Sequence, residues 1–186
     1  TGYAGQKCSA CSRVIVTDSI HDAFLERLTD AVMSLRIGTA DDPATQVGPV
    51  IDARAKQRIL EYLEFGRREG RVLVDRSAEG PGYSVGPVVI ADIDPAHRMA
   101  QEEIFGPILA VLRVASFEQA LECANGTAYA LTGGLYSRSP RHIARAREAF
   151  DVGNLYINRP ITGALVGRQP FGGHRLSGVG AKAGGE

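Results

Sequence analysis

The chain has 186 residues, 44% of them hydrophobic, which is enough to bury a core as one domain without disulfide staples. Its 21 Lys plus Arg balance 21 Asp plus Glu. Zero net charge argues against a protein that displaces phosphate counterions from nucleic acid, and against a polybasic membrane anchor.

The chain opens at Thr1 with neither the charged nor the apolar region of a signal peptide. Three cysteines are too few, and odd in number, for a disulfide framework. They fit a reducing compartment, so a bacterial cytoplasm, or else a mitochondrial matrix, is expected. The first strand is Arg13 to Thr17, a β-branched run. Ser19 is then expected to cap a helix over Ile20–Arg36, with Ile20, Phe24, Leu28, Ala31, Val32 and Leu35 on its inner face. Gly38 to Val50 reads as a loop, and Asp52 caps a second helix that Gly70 stops after Glu69. Strands follow at Arg71–Val74, Pro87–Ala91 and Ile108–Val114, with a Gly80-Pro81-Gly82 turn. Ser116 caps a helix over Phe117–Asn125, and Leu131–Tyr136 is a strand. Ser139 with Pro140 starts a helix to Phe150, and Gly153–Asn158 is the last strand before a Gly-rich tail. Strands alternating with helices predict an α/β fold, a three-layer open and mostly parallel sheet with flanking helices.

Three segments could carry chemistry. Cys8 lies beside Lys7 among small residues just before a strand. A nearby cation or backbone N–H groups can lower a thiol's pKa, and those N–H groups could form an oxyanion hole. Cys8 and Cys11 also have C-x-x-C spacing. A zinc site would need two more ligands from Cys123 and four scattered histidines, and a redox pair heads a helix rather than a strand, so no metal is expected. Glu102 and Glu103 stand before Phe105-Gly106-Pro107 and could bind sugar hydroxyls. The loop after Asn158, with Thr162-Gly163-Ala164 and Pro170-Phe171-Gly172-Gly173, exposes backbone N–H groups that could hold an anion. Each has a plainer reading alone: a small buried hydrophobe, a solvated acidic turn, a simple turn.

In this order the segments Gly5-Gln6-Lys7-Cys8, Gln101-Glu102-Glu103-Ile104-Phe105-Gly106-Pro107, Gly153-Asn154-Leu155-Tyr156-Ile157-Asn158 and Pro170-Phe171-Gly172-Gly173 with Ser177-Gly178 resemble the aldehyde dehydrogenase superfamily in its catalytic half. Cys8 to Arg13, Ile161 to Gly173 and Lys182 to Gly185 are similar to its 1-pyrroline-5-carboxylate (glutamate-semialdehyde) dehydrogenase branch, with Val179 where that branch more often has Thr. The resemblance implies NAD-dependent oxidation of L-glutamate γ-semialdehyde to glutamate in proline catabolism, through a thiohemiacetal and a thioester on Cys8. It implies that Glu103 and Phe105 contact the nicotinamide riboside of NAD, and that Ser9, Gly163 and Ala164 hold the substrate carboxylate while Phe171 lines its aliphatic part. It also implies that the main NAD-binding domain, an oxyanion Asn and a water-activating Glu lie upstream of Thr1, that residues 1–186 are the catalytic domain, and that the whole enzyme is a homo-oligomer. Residues 1–186 alone are then expected to lack dehydrogenase activity. The rival readings are a related dehydrogenase with another aldehyde, or a domain that kept the fold and lost the chemistry.

Overall fold

The computed structural model describes residues 2–184, which form two compact units divided after Ala115. In the first unit, β1 (Arg13–Thr17), β4 (Ile108–Val114), β3 (Val88–Ala91) and β2 (Arg71–Asp75) make one sheet in that order. β1 and β3 both run parallel to β4, and β2 is an antiparallel edge on β3. All four residues of β3 are buried, as expected of a strand covered on both faces.

The alternation along β3 assigns those faces. Val89 and Ala91 join Val16, Val74 and Val111 in a cluster with Leu25 and Val32 of α1 (Asp18–Met33). Ile90 points the other way: its Cδ1 lies only 2.2 Å from where a Cβ on Gly66 of α2 (Ala53–Glu69) would stand. The sheet is therefore a layer between helices, and glycine at 66 is what lets α2 approach it.

Helix α1 departs from expectation. Its N-cap is Thr17, without a side-chain hydrogen bond, and it ends at Met33 rather than Arg36. Ile20 is 57% exposed and Ala31 is exposed, while His21 and Leu25 are buried. The buried positions 21, 25 and 32, with half-buried Phe24, Leu28 and Leu35, make a stripe centred beside the expected one. The His21 imidazole belongs in that stripe because Asp22 Oδ1 lies 2.9 Å from its Nδ1. Helix α2 starts as expected, with Asp52 accepting from Ala55 N at 2.7 Å. A four-residue helix, α3 (Arg98–Gln101), precedes β4.

In the second unit, Ser116 accepts from Gln119 N to cap α4 (Phe117–Asn125), and Ser139 accepts from His142 N to cap α5 (Pro140–Ala149). β6 (Thr132–Leu135) pairs in parallel with β7 (Asn154–Ile157). Two short strands that sequence pattern does not announce, β5 (Tyr129–Ala130) and β8 (His174–Arg175), pair antiparallel.

Candidate functional site

The site in the first unit is built from two segments pressed together. Gln6 N donates to Tyr3 O at 2.9 Å, and Ala10 N donates to Lys7 O at 2.8 Å, so Cys8 and Ser9 occupy the centre of a turn. Gln6 Oε1 accepts from Ile51 N at 2.9 Å, which ties this turn to the loop before α2. Gly5 has φ +74, and a Cβ there would stand 2.2 Å from Gly106 O. Only glycine suits both demands, and it brings the cysteine segment against the Glu103–Gly106 segment.

The turn sends its two central side chains apart. Cys8 is exposed, whereas Ser9 is 3% exposed, and its hydroxyl has no hydrogen-bond partner among the described residues. Cys11 is exposed and precedes β1. Its Sγ donates to Arg13 O at 3.3 Å, and desolvation, the largest influence, raises its pKa.

The adjacent carboxylates divide their roles. Glu102 accepts from Arg98 Nε at 2.7 Å and Nη2 at 2.8 Å, and from Tyr62 Oη at 2.6 Å. These hydrogen bonds, Arg98 first, hold its carboxyl at about 2. The Arg98 guanidinium also lies 4.1 Å from the Phe65 ring centroid. Glu103 is exposed, and its carboxylate has no partner among the described residues. Its backbone is held instead: Arg58 Nη1 donates to Glu103 O at 3.3 Å and Nη2 to Ile104 O at 2.6 Å. Half-buried Phe105 follows in a left-handed conformation, φ +57. An exposed, unpaired carboxylate on an anchored backbone is a suitable acceptor for two ribose hydroxyls, so the residues present fit a nicotinamide riboside.

In the second unit Gly163 is exposed with φ +96, and neither its N–H nor that of Ala164 is paired among the described residues. The loop around them is fastened at its far side. Asn154 Nδ2 donates to Pro170 O at 2.8 Å and its Oδ1 accepts from Gly172 N at 3.2 Å. Phe171 is half-buried and exchanges backbone hydrogen bonds with Ala183 at 2.8 and 3.0 Å. Gly185, the end of one matching segment, lies outside the described residues.

Sequence reasoning missed Gln6, Arg58, Tyr62 and Asn154 as supports. Only the i,i+4 pair Arg98–Glu102 was there to be read. Among the described residues no cluster of His, Cys, Asp and Glu could hold a metal, and no helix is long and apolar enough to cross a membrane. A shallow groove beside α2, lined by Lys56, Leu60, Arg67 and Tyr83, includes neither Cys8 nor Glu103.

The model of the aldehyde dehydrogenase family matches residues 1–186. A protein from Geobacillus sp. (strain WCH70) named 1-pyrroline-5-carboxylate dehydrogenase is 48% identical over 185 residues, 99% of this chain but 36% of that protein. The chain thus spans about a third of the length of such relatives. A solved 1-pyrroline-5-carboxylate dehydrogenase from Thermus with bound NAD is 48% identical with TM-score 0.91, over 98% of this chain and 35% of that one. Betaine aldehyde dehydrogenase from Staphylococcus aureus is 32% identical with TM-score 0.90, over 98% of this chain and 37% of its own.

Proposed function

The chain belongs to the aldehyde dehydrogenase family, and from that premise we propose that it is the thiol-bearing catalytic domain of a longer NAD-dependent enzyme that oxidises L-glutamate γ-semialdehyde to glutamate. One observation carries the catalytic part: Cys8 stands exposed on a turn that packs, through Gly5, on the segment holding Glu103. The names of the relatives support the substrate.

In this reading the Cys8 thiolate adds to the aldehyde carbon, and the new alkoxide accepts a hydrogen bond from the Cys8 backbone N–H. Addition turns a flat carbonyl into a tetrahedral alkoxide, from which hydride leaves more readily. NAD, when bound, supplies the hydride acceptor. Glu103 accepts hydrogen bonds from its ribose hydroxyls and Phe105 packs near the nicotinamide, while most of its binding surface comes from outside residues 1–186. Loss of hydride leaves an acyl thioester on Cys8, which water hydrolyses with a base that also lies outside residues 1–186.

The substrate's distant carboxylate must keep hydrogen bonds once it leaves water. In the second unit the unpaired N–H groups of Gly163 and Ala164 are donors suited to it, with Phe171 along the aliphatic carbons; in the first unit the unpartnered Ser9 hydroxyl is a donor of the same kind. The whole enzyme is a cytoplasmic homo-oligomer, and residues 1–186 alone have no dehydrogenase activity.

The test uses the longer enzyme. Cys8→Ala abolishes turnover. Ser9→Ala raises KM for the semialdehyde about tenfold or more relative to propanal, as losing a hydrogen bond to a charged group costs roughly 1.5–3 kcal/mol. Retained turnover in the first variant refutes the nucleophile, and equal effects on both aldehydes refute the substrate.

A further inference from the structure

The segment between Gly5 and β1 carries two thiols, and dehydrogenation uses one. Cys8 and Cys11 are both exposed, whereas Cys123, on α4, is buried. Three Cα steps separate the pair, about 11 Å if extended, and a disulfide needs roughly 4.4–6.8 Å. The chain is not extended there. The turn closed by Ala10 N and Lys7 O reverses it across Cys8 and Ser9, two of the residues in that span.

The two sulfurs are also unequal. Cys11 Sγ keeps its proton, donated to Arg13 O, and desolvation pushes its pKa up. Oxidants attack thiolates, so Cys11 is a poor first target. Lys7 precedes Cys8 and is exposed with it.

We propose that a hydroperoxide converts Cys8 and Cys11 into a reversible intramolecular disulfide. The Cys8 thiolate attacks the peroxide: an S–O bond forms, the O–O bond breaks and hydroxide leaves. The sulfur gives up two electrons, which reduce the peroxide, and becomes a sulfenic acid. The Cys11 sulfur, releasing its proton, then attacks the Cys8 sulfur; the S–S bond forms, the S–O bond breaks and water leaves. Two thiols and one hydrogen peroxide thus yield one disulfide and two waters. The disulfide blocks the step from sulfenic to sulfinic acid, which thiols do not reverse. Its role as a recoverable resting state of the enzyme rests on Cys8 being the nucleophile; the disulfide itself does not.

Trypsin isolates the question, because cleavage after Lys7 and after Arg13 releases both cysteines in the single peptide Cys8–Arg13. The 186-residue chain is treated with hydrogen peroxide, unfolded, alkylated with iodoacetamide, digested and weighed. The expected peptide lacks two hydrogens and both alkyl groups, and dithiothreitol before alkylation restores two alkyl groups. In Cys11→Ser the same dose leaves sulfinic acid on Cys8. Sulfinic acid on Cys8 beside an alkylated Cys11 in the parent chain overturns the proposal, as does a disulfide joining two chains on a non-reducing gel. Cys123 stays alkylatable throughout and reports the dose. Loss of turnover in Cys8→Ala with no disulfide in the parent refutes this inference alone.

Discussion

Replacing Gly5 with Ala tests the contact that assembles the site. The φ of +74 puts a Cβ into the left-handed region, which costs roughly 1–2 kcal/mol for an L-residue. That Cβ would also stand 2.2 Å from Gly106 O, a backbone atom that cannot rotate away. One segment must move by about 1 Å to reach ordinary contact, and overpacking of this kind typically costs about 1–3 kcal/mol. Together the terms give about 2–5 kcal/mol. At roughly 2–4 °C per kcal/mol for a chain of this size, Tm falls by about 4–20 °C. Guanidinium and thermal unfolding of parent and variant measure it, with Gly2→Ala as control because nothing lies within 4 Å of a Cβ there. A Gly5→Ala variant within about 0.5 kcal/mol of the parent, the usual spread for surface changes, refutes the reasoning.

Two further outcomes separate the neighbouring carboxylates. Glu102 has its pKa lowered from 4.5 to about 2 on folding, so its contribution to stability is full above pH 4.5 and is lost as pH falls toward 2. Acid unfolding followed across that window is therefore shallower in Glu102→Gln, and equal slopes would remove the Arg98–Tyr62 clamp from the account. In the longer enzyme Glu103→Gln raises KM for NAD about tenfold, the worth of one charged hydrogen bond. An unaltered KM would mean that Glu103 is only a solvated surface group.

What was legible in the sequence was what is decided locally. β1 and β4 are β-branched or aliphatic runs, and α2, α4 and α5 begin at Asp52, Ser116 and Ser139, whose side chains make the capping bonds their identity suggests. Helix α1 was misplaced because Thr17 caps it without a side-chain bond while Ser19 only imitates a cap, and because a buried imidazole at 21 carries no hydrophobic signal. β5 and β8 are two residues each and exist only because the chain returns from position 174 to position 130. The site divides the same way. Ordered motifs singled out Cys8, Glu103 and Gly163, and the i,i+4 spacing from Arg98 marks Glu102 as the structural one of the two adjacent glutamates, but Tyr62 completes that clamp only through the fold.

Asn154 has a consequence for reach. By gripping Pro170 and Gly172 it fastens the outgoing chain back to the strand from which it departs. The excursion from Asn158 is thereby cut into a closed arm, residues 159–169, and a second return through β8. Closing two short loops in sequence fixes the distance from hinge to tip far better than one long loop would, for a modest entropy that grows only logarithmically with length. Gly163 sits on an arm whose far end is tied to β7 through Asn154 and whose middle is tied to Gly184 by the Gly167 N–H. If Gly163 and Ala164 hold the substrate carboxylate as proposed, an arm of this kind measures its ligand: it suits an anion held at one distance from the strand and is mismatched to a shorter or longer one, whatever the chemistry at the ligand's other end.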